Sequence, residues 1–100
     1  MSYKMFLDDE RYPTTPDWLV ARSSFDAVHF VSNFGMPKEI AFDHDLGGAD
    51  TSMVFLRWLE EELIQGRVEF PENFSYTVHS QNPVGATNIM CHMESLLKYF

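Results

Sequence analysis

The ten residues E-I-A-F-D-H-D-L-G-G, Glu39 to Gly48, decide how the chain is read. A short apolar stretch carrying Ile40 and Phe42 runs straight into Asp43, His44 and Asp45, and two glycines follow almost at once. Glu39 to Phe42 reads as a strand that delivers three ionisable groups at its C-terminal end. Strict alternation would point Asp43 and Asp45 one way and His44 the other. Gly47 and Gly48 allow the chain to turn first, with positive φ, and so to aim the backbone amides after Asp45 at a ligand.

Upstream, Ser23 and Asp26 have capping-box spacing, Ala27, Val28, Val31 and Phe34 recur at helical intervals, and Gly35 and Pro37 stop the segment. Downstream, Asp50 or Thr51 can cap a helix that carries Phe55, Leu56, Leu59 and Leu63 on one face and ends at Gly66. Phe74 to Val78 reads as a strand ending at His79 and Ser80. Asn82 and Pro83 fit the N-cap and first position of a last helix, with an apolar stripe of Ile89, Met93, Leu96, Leu97 and Phe100. At the other end, Tyr3 to Leu7 is a continuous apolar run, as expected of a central strand, closed by Asp8, Asp9 and Glu10. A loop with Pro13 and Pro16 leads to an outer strand at Trp18 to Ala21. The order β-β-α-β-α-β-α predicts an α/β fold, a small open parallel sheet of about four strands covered by helices on both faces. Phe55, Trp58, Phe74 and Trp18 are read as core.

One hundred residues suit a single domain, 1–100. With 15 acidic against 7 basic side chains and a formal charge of -8, the chain repels nucleic-acid backbones and anionic lipid, so no extended nucleic-acid surface and no membrane partner is expected. The basic residues are scattered singly along the sequence. One cysteine, Cys91, excludes an intrachain disulfide and a multi-cysteine metal site. The opening M-S-Y-K-M-F-L-D-D meets acidic residues too early for a signal peptide or membrane span, so cytoplasmic residence is expected.

Ligands of open parallel sheets bind beyond the C-terminal ends of the strands. Three predicted strands end there in polar groups: Asp8 and Asp9, then Asp43, His44 and Asp45, then His79 and Ser80. Carboxylates crowded in one crevice need a cation, a proton or an arginine, and hard oxygen ligands suit Mg²⁺ or Mn²⁺. Asp8, Asp9, Asp43 and Asp45 are the carboxylates that such an ion would meet. Arg11 offers a planar fork for a carboxylate or a phosphate. The last helix N-terminus at Asn82 attracts an anion. Thr51 and Ser52 either cap their helix or touch phosphate, and Asn88 and His92, four apart, are placed to bond to each other. No Walker loop, dinucleotide fingerprint or nucleophile elbow is present.

The motifs L-D-D-E-R-Y-P (Leu7 to Pro13), F-D-H-D-L-G (Phe42 to Gly47) and V-H-S-Q-N-P-V-G-A-T-N (Val78 to Asn88), in that order over nearly the whole chain, are similar to those of the cyclic-phosphate processing receiver domain family. The resemblance implies a truncated receiver-like, flavodoxin-like three-layer fold without the last strand and helix. It also implies that Asp8 and Asp9 match the acidic pair that holds magnesium in receivers, that Asp43 matches the phosphoacceptor position, and that Ser80 falls near the hydroxyl residue of the fourth strand. Receivers carry a lysine on the fifth strand, which neither Lys38 nor Lys98 is placed to replace. They have no counterpart to His44, Asp45 and His79, which look like equipment for hydrolysis.

The function expected is a metal-assisted phosphoesterase acting on a cyclic phosphate, either a nucleotide or an RNA end. As the resemblance implies, Asp8, Asp9 and Asp43 are its expected metal ligands; His79, Asp43, His44 and Asp45 are its catalytic candidates, and Arg11, Ser80, Asn82 and Asn88 its substrate-binding ones. The alternative is a non-catalytic nucleotide-binding or protein-interaction module, with homo-oligomerisation as an additional source of burial. Either way the expected partner is a small phosphorylated ligand or a nucleic-acid terminus.

Overall fold

Apolar residues without interruption favour a strand that is covered on both sides, and Lys4–Leu7 becomes β1, a central strand. A computed structural model, which describes residues 2–100, gives the order β1 (Lys4–Leu7), β2 (Trp18–Ala21), α1 (Ser24–Phe34), β3 (Glu39–Phe42), α2 (Ser52–Ile64), β4 (Ser75–Val78) and α3 (Pro83–Tyr99). The four strands form one parallel sheet in the order β2-β1-β3-β4.

Period-two alternation sends Met5 and Leu7 of β1, and Ile40 and Phe42 of β3, to one face. There they meet Ala27 and Val31 of α1, Phe55, Leu56, Leu59 and Leu63 of α2, and Ile89, Met93 and Leu96 of α3 in one buried cluster. Side chains such as Phe42 and Phe55, fully buried, each contribute about 1.5–3 kcal/mol relative to exposure. Phe55 is core as the sequence suggests, and Trp58 and Phe74 are partly buried against it. Trp18 is different. It stands on the opposite face, edge-on to Phe6 with ring centroids 6.0 Å apart.

The parallel receiver-like sheet agrees with the sequence reading, but helices cover one face of it and not both. The steps β2 to β3 and β3 to β4 run the same way across the sheet, so right-handed crossovers put α1 and α2 on the same side, and α3 packs beside α2. The step from β1 to β2 runs the other way, so its connection belongs on the opposite face. That connection holds Pro13 and Pro16 and forms no helix, so a loop lies where the third layer was expected. Among the described residues, no helix is long and apolar enough to cross a membrane.

Helix ends follow side-chain chemistry. Ser23 Oγ accepts from the Asp26 amide, Thr51 Oγ1 from Met53, and Asn82 Oδ1 from Gly85. Asp50, the other candidate cap for α2, instead binds across to the start of α1, accepting from Ser24 N at 2.8 Å and Ser24 Oγ at 2.6 Å.

Candidate functional site

Strand register explains why the acidic groups meet. Leu7 pairs with Phe42, and Phe42 with Val78, so the next residues, Asp8, Asp43 and His79, stand in a row at the C-terminal edge. The ladder continues one step into this row, with Asp43 N donating to Leu7 O at 2.8 Å and His79 N to Phe42 O at 2.9 Å. Alternation turns all three side chains away from the helix-covered face.

Asp8 is the anchor. It is 1% exposed; its Oδ1 accepts from the amides of Glu10 and Arg11, both at 2.9 Å, and its Oδ2 meets His79 Nε2 at 3.0 Å. Burial alone would raise its pKa, but the two amides and the imidazole together outweigh burial and hold it below the usual carboxylate value. An ionised carboxylate only accepts, so His79 Nε2 carries the proton in this bond. The His79 ring lies flat on Phe6, with centroids 4.9 Å apart and planes 9° apart.

One oxygen from each of Asp8, Asp9 and Asp43 lies within 4.8 Å of the others. Asp43 is held by the His44 amide, which donates to its Oδ1 at 2.8 Å, and by buried Ser52, whose hydroxyl donates to its carbonyl. Asp9 is confined from across the crevice by Gly47. At φ +94° this glycine presents no side chain, and a Cβ there would stand 3.3 Å from Asp9 Oδ2. Among the described residues, Arg11 is the single basic side chain lining the crevice, and its guanidinium donates to the His79 carbonyl at 3.2 Å. It therefore ties the acidic loop to β4. Three carboxylates this close without a counter-cation repel one another, and an all-oxygen set suits a hard divalent ion. The residues fit Mg²⁺ or Mn²⁺.

Beside them the chain turns before alternation can separate His44 from Asp45. Leu46 N donates to Asp50 O at 3.0 Å and Asp45 bridges to Thr51 in antiparallel fashion. His44 Nδ1 thereby meets Asp45 Oδ1 at 3.0 Å, and Asn82 Nδ2 donates to Asp45 Oδ2 at 3.4 Å. These two contacts, His44 first, lower the pKa of the exposed Asp45 carboxyl. Asn82 thus both caps α3 and reaches the acid, while Ser80 Oγ accepts from Asn82 N at 3.0 Å.

The resulting open crevice has a volume of about 500 Å³ and brings together Asp8, Asp9, Asp43, Asp45, Arg11, Ser80 and Asn82. Three expected site residues do not line it. His79 stands behind Asp8 and borders a second hollow on the helix-free face. His44 stands behind Asp45, its ring against Gly85 of α3. Asn88 lies farther along α3 in a separate hollow with Met53 and His92, because more than a helical turn separates it from Asn82. His92 bonds to Glu60 at 3.2 Å and not to Asn88. Thr51 and Ser52 do not line the crevice either: one caps α2 and the other holds Asp43.

Glu10 and Gln81 also line the crevice; their position beside the strand-end motifs is the one sign of it in the sequence. Gly85 carries no such sign. A Cβ there would lie 2.4 Å from His44 Cγ, a tertiary contact that sequence spacing does not reveal.

A family model described as the cyclic-phosphate processing receiver domain matches residues 3–95. No curated protein and no solved structure matches the chain. With nearly all of its length covered, the chain belongs to the cyclic-phosphate processing receiver domain family.

Proposed function

We propose that the crevice is the active site of a phosphoesterase that opens a cyclic phosphodiester to a monoester with the help of Mg²⁺ or Mn²⁺. The observation that carries this reading is the convergence of Asp8, Asp9 and Asp43 oxygens within 4.8 Å from two adjacent strand ends. A cation held there would polarise phosphoryl oxygens and offset the charge that develops on them. Overall, water adds across one P–O ester bond, its oxygen to phosphorus and a proton to the departing oxygen.

The chain's own groups divide that work by position. Asp45, exposed to the crevice and steered by His44 and Asn82, orients the attacking water and takes its proton. Ser80 Oγ, which lines the crevice and accepts from Asn82 N, donates its own hydroxyl proton to a nonbridging oxygen. His79 is a positioning residue: its Nε2 proton fixes the carboxylate of Asp8 and maintains its ionised state. Arg11 keeps the acidic loop against β4.

The test is turnover of a five-membered cyclic phosphate followed by phosphorus NMR with magnesium present. Asp45→Asn should reduce kcat by about 10²-fold or more, as expected for loss of a general base, and Asp43→Ala should abolish turnover while the fold persists. Turnover in both variants equal to that of the unmodified protein would defeat the reading.

One observation favours a second reading, a module that binds a phosphorylated ligand without turnover: neither strand-end imidazole lines the crevice. Calorimetric binding of the same cyclic phosphate without any monoester forming would support it.

A further inference from the structure

On the helix-free face, the structure assembles aromatic and cationic side chains that lie far apart in sequence. Phe6 is nearly buried and forms the floor of a hollow of about 300 Å³ with Ala41; Trp18 and His79 flank it, and Tyr12 and Thr77 complete the walls. Trp18 is held in place twice, by its indole N–H donating to Thr15 Oγ1 at 3.1 Å and by Lys4 Nζ 4.5 Å from its ring centre. Arg22 places its guanidinium carbon 4.5 Å from the centre of the Tyr12 ring. Of the seven basic residues, Arg11 lines this hollow and Lys4 and Arg22 lie against the rings of Trp18 and Tyr12, although the sequence scatters them. Lys4 also pairs with Asp17 at 2.6 Å.

The hollow adjoins the acidic crevice. Arg11 lines both, and His79 contributes its ring to the hollow and its Nε2 to Asp8 in the crevice. A ligand that places a phosphate at the Asp8, Asp9 and Asp43 oxygens therefore has an aromatic-walled recess next to it. Aromatic faces backed by cations favour planar rings, and stacking of this kind is tolerant of which base is present. Thr14 and Thr77 place hydroxyls at the rim, available to hydrogen-bond a ring edge.

We propose that this hollow is a nucleobase subsite, so that the ligand is a nucleoside cyclic phosphate, free or at the end of a strand, with its base between Tyr12 and Trp18. The proposal rests on the reading of the crevice as the phosphate site, and it extends that reading by adding Phe6, Trp18 and Thr77 of the sheet face, which no strand-end motif contains. It also fits the overall acidity: recognition is confined to one terminal nucleotide, and the -8 charge disfavours a longer backbone.

Two measurements separate this proposal from the reading beneath it. The first is titration of the full chain with adenosine, which has no phosphate, followed by nuclear magnetic resonance of the Trp18 indole and Thr77 amide. Both signals should move, and Tyr12→Ala should weaken the binding; Tyr12 is 79% exposed, so its truncation leaves the fold intact. The second is the ratio of kcat/KM for adenosine 2′,3′-cyclic phosphate to that for ethylene phosphate, which has the ring but no base. Tyr12→Ala should reduce this ratio by about tenfold, as expected for loss of one stacking contact. Thr77→Arg, which fills the hollow from an exposed strand position, should do the same. Adenosine that leaves Trp18 and Thr77 unmoved at millimolar concentration, or a ratio unchanged in both variants, overturns the subsite even if both phosphates are hydrolysed. Adenosine binding at Trp18 with neither phosphate hydrolysed supports the subsite and refutes turnover in the crevice.

Discussion

Replacing Gly85 with alanine sets two effects of opposite sign against each other, and the structure decides which prevails. Within a helix, Gly→Ala is favourable by about 1 kcal/mol, because alanine loses less backbone entropy on folding. Gly85 is the third residue of α3, so propensity alone predicts a more stable protein. The new Cβ would, however, lie 2.4 Å from His44 Cγ, 2.7 Å from Nδ1 and 2.8 Å from Cβ. Carbon atoms favour separations near 3.5–4.0 Å, so the imidazole must retreat by about 1 Å. The ring is not free to do so: its side chain is 13% exposed and its Nδ1 is bonded to Asp45 at 3.0 Å. Overpacking of this kind costs about 1–3 kcal/mol. The expected net effect is a destabilisation of up to about 2 kcal/mol, or a fall in Tm of up to roughly 16 °C for a domain this small.

Thermal and urea unfolding of Gly85→Ala, His44→Ala and the double variant would measure this. In the His44→Ala background the obstruction is gone, so Gly85→Ala should become neutral or stabilising by up to about 1 kcal/mol, giving a coupling of at least about 1 kcal/mol between the two sites. A higher Tm for Gly85→Ala alone, or effects that simply add, would refute the argument that His44 fills the space beside Gly85. The same variant should also disturb the crevice, since a displaced His44 releases Asp45.

Other perturbations test the acidic site directly. Magnesium at about a hundredfold excess over its Kd should add about 2.7 kcal/mol to unfolding stability, and Asp43→Asn should remove that gain while raising metal-free stability by relieving repulsion; an equal magnesium response in both proteins would argue against the ligand set. The folded-state pKa of Asp8 lies below its unfolded value, so its contribution is fully present above about pH 3.9 and is lost as pH falls through the folded pKa. Asp8→Asn should therefore flatten the acid limb of a stability profile taken by denaturant titration at each pH, and an unaltered limb would contradict this. Gly47→Ala forces a side chain into φ +94° and against Asp9 Oδ2, so it should cost about 1–3 kcal/mol and weaken magnesium binding measured by calorimetry.

What could be read from the sequence was local in origin. Short apolar runs mark β1 and β2, and Ser23, Asn82 and Pro83 mark helix starts, because capping involves residues two or three positions apart. Even so, the Asp26 carboxylate accepts from Arg22 N, one residue before the cap, which spacing alone does not distinguish. The strand-end acids were legible for a related reason: a parallel sheet brings all its C-terminal ends to one edge, so Asp8, Asp9 and Asp43 converge whatever the exact register. The orientation of the histidines was not legible. Whether His44 meets Asp45 depends on the turn through Leu46 to Asp50, and whether His79 faces the crevice or Asp8 depends on Phe6 accepting its ring.

The bare sheet face was hidden for a different reason. An alternation of strands and helices suggests helices on both sides, but handedness distributes crossovers by direction of travel across the sheet, and only β1 to β2 travels toward the β2 edge. With that single connection held in a Pro13 to Pro16 loop, one non-helical segment leaves an entire face without a helix layer. Phe6 and Trp18 are apolar strand residues whichever way they face, so sequence pattern assigns them to a core. Topology instead puts them beside the acidic crevice, joined to it through His79 and Arg11. A helix restored over residues 8–17 would cover Phe6 and Trp18 more completely and close the hollow, so the loop that forgoes this burial is also what leaves an aromatic surface next to the carboxylates.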